Sequence, residues 1–193
     1  MMYTTLPRRT AAMFRKQPHA SGGFTLLGLL VAIAIGAIVL TIGLPALQNM
    51  VARNRRITNL DAMVNAVQTA RSFAVSDGVP TTLCGSSTGN SCDGQWSRGW
   101  IVVENRSGST GTVGTGDPVV KRYPALQGHF TVSAHLGGNA YLAYRPSGLS
   151  NTGGYFTVCG PRGAAHAVSA IVSPAGDIRS GSTTASGGAL SCP

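Results

Sequence analysis

Charge is scarce in this chain. Only 11% of its 193 residues are Asp, Glu, Lys or Arg, and just six are acidic. Six widely scattered carboxylates do not suggest a paired acid/base site. No phosphate-binding Walker A string, no H-E-x-x-H and no EF-hand pattern occurs. The cysteines Cys84, Cys92, Cys159 and Cys192 form no C-x-x-C pair, and the four histidines stand at no metal-ligand spacing from them. Gly85-Ser86-Ser87-Thr88-Gly89 fits the G-x-S-x-G string of a hydrolase nucleophile elbow. That device needs a helix immediately after the serine, whereas Asn90 and Ser91 come next here, inside the short Cys84–Cys92 interval. The composition therefore gives no catalytic residue, metal site or cofactor to expect.

Gly fills 26 positions, which suits turn-rich β-structure better than a charged helical bundle. The formal charge of +9 is unevenly placed. Arg8, Arg9, Arg15 and Lys16 precede a long apolar run, and all six acids lie beyond it. Without residues 1–23 the chain keeps eleven basic and six acidic residues, a moderately basic balance that identifies no partner by itself. An even cysteine count in an exported β-domain favours two disulfides. Three connectivities are possible; Cys84–Cys92 with Cys159–Cys192 is preferred because it staples one loop and pins the C-terminal tail. Four reduced thiols are the plain alternative.

Phe24 to Leu44 is uncharged and long enough to cross a bilayer as a helix. The basic residues ahead of it keep the amino end cytoplasmic and send the chain beyond Pro45 across the membrane. A removable signal peptide carries its small-residue cleavage site after the apolar region. Here Gly22 and Gly23 come before it, so cleavage would leave the anchor attached.

Ser21-Gly22-Gly23-Phe24-Thr25-Leu26-Leu27 resembles the prepilin peptidase signal of type IV pilins and type II secretion pseudopilins. The resemblance implies cleavage after Gly23, methylation of Phe24 and a helix loosened at Pro45, with a kink or melted stretch there. This chain departs from the family at Gly28, where the fifth mature residue is normally Glu. In the family that carboxylate pairs with a neighbour's amino terminus in the fibre core; its loss suits a minor subunit better than a major one, or else marks a neutral variant whose amine finds another acceptor.

The helix is expected to run to about Ser76, ended by Asp77-Gly78-Val79-Pro80. Ile57, Leu60, Val64, Val67 and Ala74 mark its apolar stripe. Arg53, Arg55 and Arg56 could bind anionic headgroups, though a solvated collar outside the membrane is the simpler expectation. Beyond Val79, Thr81–Cys84, Trp100–Val103, Val119–Tyr123, Tyr141–Tyr144, Tyr155–Cys159 and Ala167–Val172 read as short antiparallel strands between turn residues. Ser107–Gly116 reads as a flexible loop. Asn105-Arg106-Ser107 fits a glycosylation sequon, which matters only in a eukaryotic secretory route. Trp96 and Trp100 are expected to pack in the core or at its rim.

Trp96-x-x-Gly99-Trp100, Tyr144-x-Pro146-x-Gly148, Phe156-Thr157-Val158-Cys159 and Ser173-Pro174-x-Gly176-x-Ile178-Arg179 extend the resemblance to the GspH/FimT branch of pilin-like proteins. It implies an α+β fold of the type IV pilin kind: a long N-terminal helix, membrane-spanning in its first half, packed on an antiparallel β-rich head with two disulfides. The expected organisation is a leader at 1–23, a transmembrane segment at 24–45, an amphipathic continuation at 46–76 and a periplasmic head at 77–193. Implied partners are other pilins, the prepilin peptidase and the bacterial inner membrane. The role implied is that of a minor pilin in assembly, priming or tip of a type IV pilus, serving motility, adhesion or DNA uptake. A type II secretion pseudopilin is the alternative. A DNA-gripping tip subunit is a further one, since some FimT-like proteins carry Gly-Arg-x-Arg near the C-terminus. Here that stretch is Gly176-Asp177-Ile178-Arg179, so only Arg179 carries over, with Arg162 as a possible second phosphate contact.

Overall fold

The computed structural model describes residues 25–193 and divides into two compact units, one ending at Pro45 and one spanning Ala46–Pro193. One helix, α1 (Leu26–Asp77), begins in the first and ends in the second. Thr25 caps its start: the Thr25 hydroxyl accepts the Gly28 N–H at 3.2 Å, satisfying one of the orphan donors of a helix N-terminus. The helix runs through Pro45 without interruption. The expected melted stretch is absent among the described residues: the loss of the hydrogen bond to the Thr41 carbonyl and the ring's crowding there are absorbed within a continuous helix.

In the second unit eight strands form two antiparallel sheets. The first is ordered β3 (Val119–Pro124), β2 (Gly99–Glu104), β1 (Thr81–Gly85), β5 (Tyr141–Tyr144). The second is ordered β4 (Thr131–His135), β6 (Gly154–Cys159), β7 (Val168–Val172), β8 (Ile178–Gly181). The helix buries Leu60, Met63, Ala66, Val67, Ala70 and Ala74, a stripe at three- and four-residue spacing. Met63 and the alanines belong to it, whereas Ile57, expected in it, is 45% exposed. These residues share one core cluster with side chains of both sheets, and the larger members each contribute about 1.5–3 kcal/mol of burial.

Side-chain alternation along β1 and β2 explains why both strands are buried throughout. Leu83, Trp100 and Val102 face the helix core, while Cys84, Ile101 and Val103 form a second cluster on the opposite face. Loops cover that second face. The Cys84–Cys92 disulfide folds residues 85–91 back, and Val113 of the 105–117 loop packs against the cluster. This loop is not the free segment its composition suggests. Asp117 accepts the Ser107 N–H and hydroxyl, both at 2.8 Å, and the Gly114 N–H at 2.9 Å. Asn105, the sequon residue, is 1% exposed and bonded through both amide atoms, to Thr82 at 2.5 Å and to the Thr112 carbonyl at 3.0 Å.

The second sheet is closed in the same manner. A disulfide joins Cys159 to Cys192, and Leu190 packs with Cys159 and Ala167. Trp96 meets Phe156 edge-on at 4.9 Å, Trp100 stacks on Tyr123 at 5.8 Å, and both tryptophans are core residues.

Candidate functional site

The cleavage junction Gly23-Phe24 lies outside the described residues. Beyond it the helix presents a surface without charge, exposed from Leu26 (82%) to Ile42 (73%) and Leu44 (54%). The helix is long and apolar enough to cross a membrane. Its geometry suits lateral packing against lipid or other apolar helices, because every backbone group of a helix is satisfied internally.

On the head, the two GspH/FimT-like motifs around Gly148 and Gly176 meet. The β7–β8 turn closes with Gly176 N–H donating to Ser173 O at 2.9 Å and Ser173 N–H to Asp177 O at 2.9 Å. Gly176 has φ +87°, and a Cβ there would collide with the Gly148 carbonyl and come within 3.1 Å of the Tyr144 ring. Both the backbone angle and the space demand glycine. Tyr144 is fully buried and donates to the Gly176 carbonyl at 3.3 Å. Burial drives its phenol well above the ordinary tyrosine range; the nearby Arg71 charge pulls the other way without reversing it.

Arg71 of α1 completes this corner. Its guanidinium donates to Asp177 at 3.1 Å and to the Ala175 carbonyl at 3.4 Å. Asp177, the residue that departs from the expected Gly-Arg-x-Arg pattern, is thus an ion-pair partner of Arg71. Arg179 is exposed on β8. It registers with Ile171, and Ile171 with Tyr155, whereas Arg162 lies in the turn beyond Cys159. From the Tyr155 register the strand runs four more residues to Cys159, at about 3.3 Å per residue, before the turn that holds Arg162, so the two arginines are not neighbours. Arg162 instead donates to the Asn49 side chain on α1. Arg71 was missed from sequence, since nothing local ties it to a residue 106 positions away.

Ser86 of the G-x-S-x-G string is buried, and its hydroxyl accepts the Gly89 N–H at 2.9 Å within the disulfide loop. Among the described residues no three His, Cys, Asp or Glu side chains gather as a metal site would require.

Comparison with known proteins agrees with these features. Residues 59–176 match the family described as type II transport protein GspH, and residues 18–44 match the prokaryotic N-terminal methylation motif. The type IV major fimbrial protein FimA of Dichelobacter nodosus is 30% identical over 131 residues, covering 66% of this chain and 79% of that protein. The fold resembles the crystal structure of the type IV minor pilin FimU of Pseudomonas aeruginosa, with a TM-score of 0.53 and 20% identity over 66% of this chain and 88% of FimU. An N-terminal methylation motif, an exposed apolar helix and a two-sheet head closed by disulfides thus stand together, and the chain belongs to the GspH family of type IV pilin-like proteins.

Proposed function

We propose that this chain is a minor subunit of a type IV pilus-like fibre, contributing to its assembly, priming or tip. The observation that carries the reading is the uncharged helical surface Leu26–Leu44, exposed along its length while the head buries its own core. An apolar surface of that extent requires a bilayer or neighbouring helices. In this reading the prepilin peptidase removes residues 1–23, Phe24 is methylated, and residues 24–45 hold the protein in the bacterial inner membrane. Residues 46–76 then support a periplasmic head made of 77–193, and the apolar helix transfers from lipid into the fibre core beside other pilins.

Gly28 favours a minor position. A Glu there would stand at the third helical residue behind the Thr25 cap, the spacing of a capping box, and would offer a carboxylate to a neighbour. Glycine offers neither, a loss tolerable at a few contacts and costly along a whole shaft. The type II transport description of the family supports a second reading, a pseudopilin of a secretion machine.

Quantitative mass spectrometry of sheared surface fibres, with a deletion strain, separates the two. The pilus reading expects this chain in the fibres at a small fraction of the major subunit, and loss of surface fibres on deletion. Absence from fibres, with loss of export of folded proteins on deletion, would replace it by the secretion reading.

A further inference from the structure

The arginines just beyond the apolar run do not form the uniformly solvated collar that their spacing suggests. Between α1 and the turn Gly160–His166 lies an open groove of about 840 Å³, lined by Arg53, Arg55, Arg56 and Arg162 and by no carboxylate. The two ion pairs among the described residues, Arg71–Asp177 and Arg106–Glu104, leave all four uncompensated. Two of the four are held in place. Arg56 Nη1 donates to the His166 carbonyl at 2.9 Å, and Arg162 donates to Asn49. Arg56 Nε is buried and has no acceptor. A guanidinium nitrogen taken from water without a partner is costly, so an acceptor arriving there gains more than it would at an exposed arginine.

Leu47, Met50, Phe130 and Pro161 give the groove an apolar floor, beside the polar Gln48, Asn49 and His166. Cationic forks beside an apolar floor match an amphiphilic anion. A free phosphate leaves the floor unused, and a nucleic acid backbone has no chain to lay on it. Position in the sequence points the same way, since Asn49 and Arg56 lie only five and twelve residues past Leu44. Basic residues so near a membrane segment are drawn to anionic lipid surfaces. On the translocated flank they also work against the charge bias that orients the anchor.

We propose that this groove binds the phosphodiester headgroup of an anionic phospholipid, with Arg56 and Arg162 on the phosphate and Leu47 and Met50 against the first acyl carbons. The inference rests on the reading of Phe24–Leu44 as a membrane anchor. A bound lipid would hold the head against the bilayer until the subunit leaves for the fibre.

The full chain, extracted in non-ionic detergent, is titrated with phosphatidylglycerol, phosphatidylcholine and inorganic phosphate and read by native mass spectrometry. One phosphatidylglycerol should bind saturably, about tenfold more tightly than phosphatidylcholine, a difference of the size a charge-assisted contact provides. Arg56→Gln with Arg162→Gln should remove that preference, and Arg145→Gln, outside the groove, should leave it. Amide exchange on the unmodified chain guards against a variant that fails to fold: phosphatidylglycerol should slow exchange at residues 160–166 and phosphatidylcholine should not. Equal binding of the two lipids, or a preference untouched in the double variant, would overturn the proposal. So would displacement by inorganic phosphate at equal concentration, the mark of a free-anion site, or by short duplex DNA, the mark of a nucleic-acid groove. Failure of the anchor reading would look different: the chain would be recovered without detergent, whatever its lipid preference.

Discussion

Arg71 and Asp177, 106 residues apart in the chain, form an ion pair at 3.1 Å across the corner where the helix meets the β7–β8 turn. The pair is part-exposed, at 39% and 75%, so its own contribution to stability is at most about 1 kcal/mol. Its effect on surface charge is larger. Arg71, Asp177 and Arg179 together carry one net positive charge, and Asp177→Arg would make it three.

The head unit, Ala46–Pro193, should bind duplex DNA weakly at about 0.15 M salt, where screening sets in beyond about 8 Å. Asp177→Arg should raise affinity at low salt and steepen the log–log salt dependence by about 0.9 for each phosphate gained. Arg179→Ala should lower what binding this corner of the head has. Tight binding by the unmodified head in a fluorescence anisotropy titration would make DNA the leading ligand of this corner.

Gly176→Ala should destabilise the head by about 2–4 kcal/mol, since it combines an unfavourable positive φ with a backbone collision at Gly148. Denaturant unfolding monitored by tryptophan fluorescence measures it. A loss below about 0.5 kcal/mol, the range of an ordinary surface change, would mean the turn relaxes freely.

Asp117 should make the 105–117 loop acid-sensitive. Burial alone would raise its carboxyl pKa, but the hydrogen bonds from Ser107 and Gly114 outweigh it and hold the group below its ordinary value of 3.8. A pKa lower in the folded than in the unfolded state gives stability that is present above the unfolded value. That stability is lost as pH falls through the lower, folded one. Amide exchange at Ser107 and Gly114 should therefore be slow from neutral pH to about 4, after correction for intrinsic rates, and lose protection below that. Asp117→Asn should cost about 1–3 kcal/mol at neutral pH and flatten the acid dependence.

Cys192→Ser should free the tail. The Cys159–Cys192 closure spans 33 residues, for which chain entropy predicts a loss of about 4 kcal/mol. Exchange should rise first over residues 182–193, where Leu190 is the apolar anchor. Peptide mapping under non-reducing conditions should also find Cys84 linked to Cys92 and to neither of the other two.

What the sequence made legible were features written in consecutive residues. The helix stops at Asp77 because Gly78, Val79 and Pro80 come next, and six strands stand out as apolar runs between turns. β4 and β8 were hidden. Thr131–His135 alternates only Val132 and Ala134 with polar residues, and Ile178–Gly181 has a single apolar side chain. Their strand character comes from pairing with β6 and β7. Order in the 105–117 loop was equally invisible, because Asn105, Thr82 and Asp117 supply it through hydrogen bonds between distant positions. The helix stripe was read in part: Leu60, Val67 and Ala74 are buried as expected, whereas Met63, Ala66 and Ala70 were missed and Ile57 is exposed. The arginine groove needed the fold to bring residues 49–56 against 160–166.

Mass spectrometry of the N-terminal peptide, from protein extracted out of the membrane, tests most directly whether this chain matures as a fibre subunit. A peptide beginning at Phe24, heavier by one methyl group, is the expected result, with Leu26–Leu44 retained in the intact mass. A mature chain beginning beyond Leu44 would show that the apolar run is a discarded signal peptide. The head would then lack the apolar helix with which to enter a fibre.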